Sequence, residues 1–215
     1  MLKSPMVAVI AAAALFVGAA SQAKANLILD GDFTSPSGGG SFVTYNAGSM
    51  GPWTVTGSVD LIGGYWQAPL LTPNGGSVDL DGNNPGTISQ TFSAAGQYLL
   101  TFWLSGNPDG GNPTKTVDVS VGSGHKSYSY LTGSNSHGSM NYIEESLLFT
   151  ATGPGLTTLT FASLDDATSP FGPVIGDVSV TATPLPSTWS MLLFGFVGLG
   201  FAALRGTRKA APTAA

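Results

Sequence analysis

The chain has 215 residues, no cysteine and a formal net charge of −5, and only 9% of its residues are charged. This length suits one modest domain with targeting segments, and that domain has to fold without disulfides. Between residues 26 and 183, two lysines face all 12 acids, which gives a net charge of −10. Such a domain repels phosphate backbones, which argues against nucleic-acid binding, whereas calcium ions, neutral polymers or a solvated matrix suit it.

Residues 1–25 have the pattern of a secretory signal peptide. Lys3 supplies the positive start, an apolar core runs from Met6 to Ala20, and Ala23-Lys24-Ala25 forms an A-x-A cleavage site. We therefore expect signal peptidase to cleave the chain here and the following domain to be exported through the inner membrane. The alternative, an N-terminal anchor helix, fits less well because the apolar run is short and ends in small residues.

Residues 26–183 predict an all-β ectodomain. Short segments of alternating apolar and polar residues recur between clusters of Gly, Pro, Asn and Ser, and no long helical period is evident. About eight to ten strands of this kind are typical of a two-sheet sandwich. The predicted strands include residues 27–29, 53–61, 78–80, 88–92, 98–104, 117–121, 147–149, 159–161 and 174–180. We expect loops at 35–41 and 122–138, and at most one helical turn near 140–145.

The C-terminal segment 184–209 has three parts, with residues 210–215 as a short tail. A proline-containing motif (184–189) leads into an apolar span (190–204), and a basic tip (205–209) closes the segment. The 15 residues of the span make roughly 22 Å of helix, against a hydrocarbon core of roughly 30 Å, and interfacial residues extend that reach. We expect a single transmembrane helix, transient or permanent, with a cytoplasmic C-terminus. The alternative is a buried helix of a soluble domain. The defining residues are Pro184, Pro186, Ser187, Thr188, Trp189, Arg205 and Arg208.

This order of motif, span and basic tip resembles the PEP-CTERM sorting segment of exported bacterial proteins. The resemblance implies recognition by a membrane protease of the exosortase class, and delivery to the cell surface or extracellular matrix. The usual residue between the two prolines of that motif is Glu, whereas this chain has Leu185. The substitution leaves open which exosortase handles the segment.

A second set of motifs runs through the whole ectodomain. In chain order they are residues 26–33, 53–62, 77–82, 86–92, 106–110 and 176–180. This series resembles the choice-of-anchor C family of bacterial surface proteins, whose domain is similar to the plant cell-wall proteins known as domain of unknown function 642. The resemblance implies a galactose-binding-like jelly-roll β-sandwich, a fold shared with many carbohydrate-binding modules, although a fold alone does not give a function.

The resemblance to jelly-roll binding modules also implies a structural calcium ion between the first and last strands. The matching carboxylates in this chain are Asp30, Asp32 and Asp177. A Glu commonly follows the Phe of the opening motif, but Thr34 occupies that position here, so one expected ligand is missing. The alternative, equally open from the sequence, is that these acids cap turns and remain solvated.

The candidates for sugar contact are four aromatic residues and two acids: Trp53, Tyr65, Trp66, Trp103, Asp79 and Asp81. Flat rings stack on the apolar faces of pyranoses, and nearby polar side chains bond the hydroxyl groups. Most tryptophans of a small sandwich belong to its core, and the two aspartates, which share one strand face, could simply face water. If Trp66 and Trp103 protrude beside carboxylates, sugar binding is favoured; if both are buried, a structural role is favoured.

No catalytic constellation is evident in the sequence. Common nucleophile and metalloprotease motifs are absent, and the two histidines, His125 and His137, fall in polar segments where we expect them to be solvated. We therefore predict a non-enzymatic, surface-sorted module that binds extracellular or cell-wall-type polysaccharide. The alternative is a structural matrix or biofilm protein without a specific glycan ligand. A secreted hydrolase is a more distant third hypothesis.

Overall fold

The computed structural model of the chain describes residues 25–69, 75–183 and 195–199. The described part of the ectodomain is built from β-strands and loops, which confirms the predicted all-β class. Its eight strands are β1 (Phe42–Met50), β2 (Trp53–Ile62), β3 (Ser77–Asp79), β4 (Thr87–Gly106), β5 (Thr114–Val121), β6 (Gly124–Leu131), β7 (Ile143–Ser163) and β8 (Pro173–Ala182).

Hydrogen bonds connect all eight strands into one antiparallel sheet with the order β1-β2-β3-β8-β4-β7-β5-β6. The start of β4 also pairs with β2, so the strands β2, β3, β8 and β4 form a closed ring. The predicted β-sandwich is confirmed, and its two halves are continuous. Two unusually long strands, β4 and β7, run side by side from one half of the structure to the other and join the halves.

The main core lies inside this curled sheet. Alternate residues of β4 point into it along the whole strand, from Ile88 and Phe92 in the first half to Leu100 and Phe102 in the second. A register shift between Ala94 and Gly96 bends the strand between the two halves. Both halves therefore bury their apolar faces in one cluster, and each large side chain buried there contributes about 1.5–3 kcal/mol.

A second, smaller core covers the outer face of β4 and β8. It contains Ile62, Trp66, Met140, Tyr142 and Val174, with Tyr65 and Trp103 packed against it. Residues 63–69, after β2, and residues 136–142, before β7, meet here: the Gln67 N–H donates to the His137 carbonyl at 2.8 Å. Strand β3 consequently has protein on both sides, and all three of its residues are buried.

Several local predictions were wrong. The segment 122–138, expected to be a loop, contains β6, because Val117 and Val119 of β5 pair with Tyr128 and Lys126 of a partner strand that is polar on its outer face. The possible helical turn near 140–145 is instead the start of β7. Residues 27–29 are not assigned as a strand, although the Leu27 N–H donates to the Val180 carbonyl at 2.9 Å.

The predicted targeting segments lie largely outside the described residues. Of the signal peptide only residue 25 is described, and of the sorting segment only residues 195–199, which form a short helix. Within the described parts of the chain, no helix is long and apolar enough to cross a membrane.

Candidate functional site

A groove with a volume of about 240 Å³ opens at the end of the sheet where β1 begins and β2 and β4 end. Its walls come from the first residues of β1, the end of β2, and the loops that follow β2, β3 and β4 or precede β8. The side chains that give the groove its chemistry are Phe42, Thr44, Asp60, Tyr65, Asn83, Asn107, Asp109 and Phe171.

Two aromatic rings form one side of the groove. Phe42, 43% exposed, lies edge-on to half-buried Tyr65, with ring centroids 5.2 Å apart. The Tyr65 hydroxyl donates to Asp109 Oδ2 at 3.0 Å, and this bond raises the pKa of Tyr65 above its usual 10.0. His137 stands beside them, with its Nε2 2.7 Å from Asp109 Oδ1 and its ring 4.5 Å from that of Tyr65. Asp109 therefore fixes the Tyr65 ring at the mouth of the groove.

Asp60 is the other carboxylate of the groove. It is half-buried near the end of β2, and its Oδ1 accepts a hydrogen bond of 2.6 Å from the Thr44 hydroxyl. Its partner across the β2–β3 pair is Asp79, so two carboxyl groups stand on directly opposed residues. Burial raises the pKa of Asp60 above its usual 3.8, and the bond from Thr44 partly offsets that effect.

A cluster of buried polar side chains lies beneath the groove and connects its loops. Asp79 is 0% exposed and accepts hydrogen bonds from Asn107 Nδ2 at 2.6 Å and from the Gly172 N–H at 3.0 Å. A Cβ on Gly172 would lie 2.7 Å from Asp79 Oδ1 and 2.5 Å from Asp81 Cγ, so only glycine lets the backbone approach this closely. The cluster thereby ties the loop after β4 to the loop before β8.

Lys115 supplies the positive charge of this cluster. Its fully buried Nζ donates to the carbonyls of Gly110 at 2.8 Å and Phe171 at 2.5 Å, and lies 4.0 Å from Asp165 Oδ2. Asp81 is also 0% exposed, and neither of its carboxylate oxygens makes a hydrogen bond of normal geometry. Burial lowers the pKa of Lys115, raises that of Asp81 to about 6, and raises that of Asp79 well above 3.8.

The structure separates the residues predicted to contact sugar. Trp53 is 1% exposed in the main core, and its Nε1 donates to the Asp30 carbonyl at 3.1 Å, so it is not available for stacking on a ligand. Trp66 is 6% exposed and donates to the Ser77 hydroxyl at 3.0 Å, and Trp103 is half-buried on the outer face of β4. The small outer core covers Trp66, whereas Trp103 packs against that core and does not line the groove. Of the predicted aromatic residues, Tyr65 and Trp66 line the groove, and Tyr65 is the less buried of the two.

Asp79 and Asp81 do not line an open surface either. Both were predicted to lie on a polar groove or to face water, and both are 0% exposed. The reason is that the backbone at Gly172, just before β8, approaches both carboxylates, and Asn107 also contacts Asp79. Asp79 reaches the groove only indirectly, through the side chain of Asn107.

The three candidate calcium ligands lie close together. Asp30, Asp32 and Asp177 line a shallow cavity of about 410 Å³ where residues 26–32 run beside β8. Asp30 Oδ1 accepts hydrogen bonds from the backbone N–H groups of Thr34 and Ser35, both at 2.9 Å, so Asp30 caps this turn. Within the described part of the chain, no group of three or more His, Asp or Glu side chains is arranged to hold a metal ion. Calcium binding at these residues stays a prediction.

Sequence reasoning missed most of the groove. Phe42 lies in a segment without a clear alternating pattern, and Asp60 was seen only as the polar partner in the alternation of β2. Asp109 was not among the predicted site residues. His137 was expected to be solvated, although it lies against both Asp109 and Tyr65. The available signal was the loop sequence Asn107-Pro108-Asp109-Gly110, in which an acid stands between residues that favour turns.

The family model described as "Protein of unknown function (DUF642)" matches residues 26–181. The chain belongs to the DUF642 family. This match confirms the predicted resemblance for the ectodomain. The finer assignment to the choice-of-anchor C group and the PEP-CTERM segment is not part of it. No functionally curated protein matches the chain.

The DUF642 domain has distant likenesses among solved structures. TmCBM61 in complex with β-1,4-galactotriose is 15% identical, with a TM-score of 0.49 over 74% of this chain and 99% of that one. A family 35 carbohydrate binding module from Clostridium thermocellum is 11% identical and has a TM-score of 0.39. The match covers 66% of this chain and 92% of that one. CBM35 from Paenibacillus barcinonensis is 17% identical and has a TM-score of 0.40. The match covers 66% of this chain and 99% of that one. Likenesses of this size do not identify a ligand.

Proposed function

We propose that this DUF642 domain is an exported, non-catalytic module that binds polysaccharide through the groove at the end of β2 and β4. The carrying observation is the accessible ring of Tyr65, which is held by its hydrogen bond to Asp109 and flanked by exposed Phe42. A fixed aromatic ring beside carboxylates and amides is the arrangement that stacks on a pyranose and bonds its hydroxyl groups.

The polar side chains of the groove retain capacity for a ligand. Asp109 is engaged by Tyr65 on one oxygen and by His137 on the other, but a carboxylate offers about four acceptor sites. Asn83 Nδ2 donates to Asn46 Oδ1 at 2.9 Å, which leaves the side-chain oxygen of Asn83 for a ligand. The volume of about 240 Å³ is below the roughly 300–1,000 Å³ of enclosed small-molecule sites, so a short stretch of a longer chain suits this open groove.

Glycan arrays probed with the purified chain, with and without calcium, test this proposal. The positive glycans are then titrated into Tyr65→Ala, which should lower the affinity at least about tenfold by removing the stacked ring. Tyr65→Phe keeps the ring and removes the bond to Asp109, and Leu148→Ala, which removes an exposed side chain outside the groove, is the matched control. If no glycan binds with or without calcium, the proposed binding function is wrong.

Export and sorting form the second half of the proposal. The signal-peptide pattern of residues 1–25 and the PEP-CTERM-like order of residues 184–209 support delivery to the cell surface or matrix by signal peptidase and an exosortase-type protease. Deleting residues 184–215 should release the domain as a soluble product. Retention on the cell after that deletion would show that the segment is not the anchor.

A structural matrix role is the second candidate. One observation favours it: Trp66 is buried and Trp103 half-buried, so the large aromatic surface expected for sugar contact is reduced to Tyr65 and Phe42. A chain that assembles at the cell surface but binds no glycan of the array would fit this role.

A further inference from the structure

We propose that the groove selects glycans that carry free amino groups, such as β-1,4-linked glucosamine chains, over neutral or uronic-acid chains. This inference rests on the proposed glycan-binding function and assigns the ligand class of the same groove. It depends on the charge of the groove walls, on the position of the two lysines of the described domain, and on the opposed pair Asp60 and Asp79.

The walls of the groove carry two carboxylates. Asp60 and Asp109 line the same cavity, and its described lining contains no lysine or arginine. Asp109 lies against His137, whose Nε2 is 2.7 Å from Asp109 Oδ1, whereas Asp60 is bonded to the uncharged hydroxyl of Thr44.

The described part of the ectodomain contains two lysines, and both are committed elsewhere. Lys115 Nζ donates hydrogen bonds to two backbone carbonyls in the buried cluster beneath the groove. Lys126 Nζ lies over the Tyr128 ring on β6, 4.0 Å from the ring centroid.

The partner of Asp60 across the β2–β3 pair is another acid, Asp79, rather than a cation. Like charges on directly opposite residues of an antiparallel pair destabilise a sheet. Asp79 is enclosed, but Asp60 faces the groove, where the Thr44 hydroxyl is its hydrogen-bond donor. An ammonium group bound at Asp60 would add a charge-assisted bond and reduce the repulsion. A uronate carboxylate at the same place would increase it.

Three oligosaccharides of equal length separate charge from shape. They are the glucosamine hexamer, its fully N-acetylated counterpart and a galacturonate hexamer, titrated into the purified chain at a pH at which the amino groups are protonated. We expect the glucosamine hexamer to bind about tenfold more tightly than the acetylated one, the lower end of the range for a hydrogen bond to a charged group, because Asp60 is only half-buried. High salt should reduce this ratio.

Asp60→Asn should abolish the preference for the amino sugar, so that the ratio of the two affinities falls from about ten to about one. Asp118→Asn is the matched control, because it removes the same charge from the β5–β6 hairpin, where Asp118 contacts His125 and Ser127. Thermal unfolding confirms that both variants are folded.

The outcomes distinguish this inference from the proposed function. Equal or tighter binding of the acetylated or the uronate hexamer overturns the charge selection but leaves the groove as a glycan site. A preference that Asp118→Asn reduces as much as Asp60→Asn also overturns it, since the effect then comes from the overall charge. Failure of all three hexamers alongside positive array glycans overturns it as well, and failure of every glycan removes the proposed function itself.

Discussion

Lowering the pH from about 7 to about 4 should raise the free energy of unfolding of this domain, whereas most domains lose stability in acid. The reason is the buried acid cluster. Asp81 has a pKa raised from 3.8 to about 6, mainly because burial disfavours its charged form. Between these two values the folded state binds more protons than the unfolded state, so folding stability falls as the pH rises through this window and is lowest above it.

The magnitude follows from the same values. One pKa unit corresponds to about 1.4 kcal/mol, so Asp81 alone lowers the stability at pH 7 by up to about 3 kcal/mol relative to the acid state. Burial raises the pKa of Asp79, Asp60 and Asp165 as well, and these groups act in the same direction. The total is a large fraction of the roughly 5–15 kcal/mol that stabilises a typical domain.

Urea unfolding followed by tryptophan fluorescence measures this effect at intervals from about pH 4 to about pH 7. Asp81→Asn should flatten the pH dependence by about 3 kcal/mol. Glu144→Gln, at an exposed position outside the buried cluster, is the control for the removal of one acid. A stability that rises with pH over this range, or an Asp81→Asn variant with the wild-type slope, would refute the argument.

Four substitutions test how the groove and the main core are supported. Gly172→Ala should destabilise the domain by about 1–3 kcal/mol, measured by urea unfolding, because its Cβ would collide with the buried aspartates. Lys115→Met should lower the free energy of unfolding by about 3–5 kcal/mol in the same assay. The substitution leaves the carbonyls of Gly110 and Phe171 without their donor and Asp165 without its cation. Trp53→Ala should cost about 3–5 kcal/mol, as core truncations do, whereas Phe42→Ala should change stability little and weaken only glycan binding.

The strand pattern could be predicted where one face of a strand is buried and the other is open. Alternation correctly placed Leu100 and Phe102 of β4 on the core side and Trp103 on the other side, because the pleat gives strands a period of two. The same rule failed for β3. There the backbone at Gly172 and the side chain of Asn107 contact Asp79, so it is buried just as its neighbour Val78 is.

The groove could be predicted only in part, because its walls come from segments distant in the sequence. Tyr65 was among the predicted sugar-contact residues, and the structure places it in the groove wall. Asp109 is 44 residues further along the chain and meets Tyr65 only because the ends of β2 and β4 come together. A single sequence gives no distance between such loops. The burial of Trp66 could not be predicted for the same reason. Residues from the distant segment 136–142 pack against it.

The position of the buried acids beneath the groove explains why the fold can contain them: they support the residues of the groove. Enclosing Asp79 and Asp81 costs stability, yet Asp79 holds the Asn107 side chain, and Asn107 Oδ1 accepts the Asp109 N–H at 2.8 Å. Asp109 in turn fixes the hydroxyl of Tyr65. A chain of hydrogen bonds therefore runs from the interior to the half-buried ring of Tyr65, and such support keeps a binding site in a productive geometry. Replacing the cluster by apolar residues should give a more stable domain with a looser groove, which is the usual exchange between stability and function.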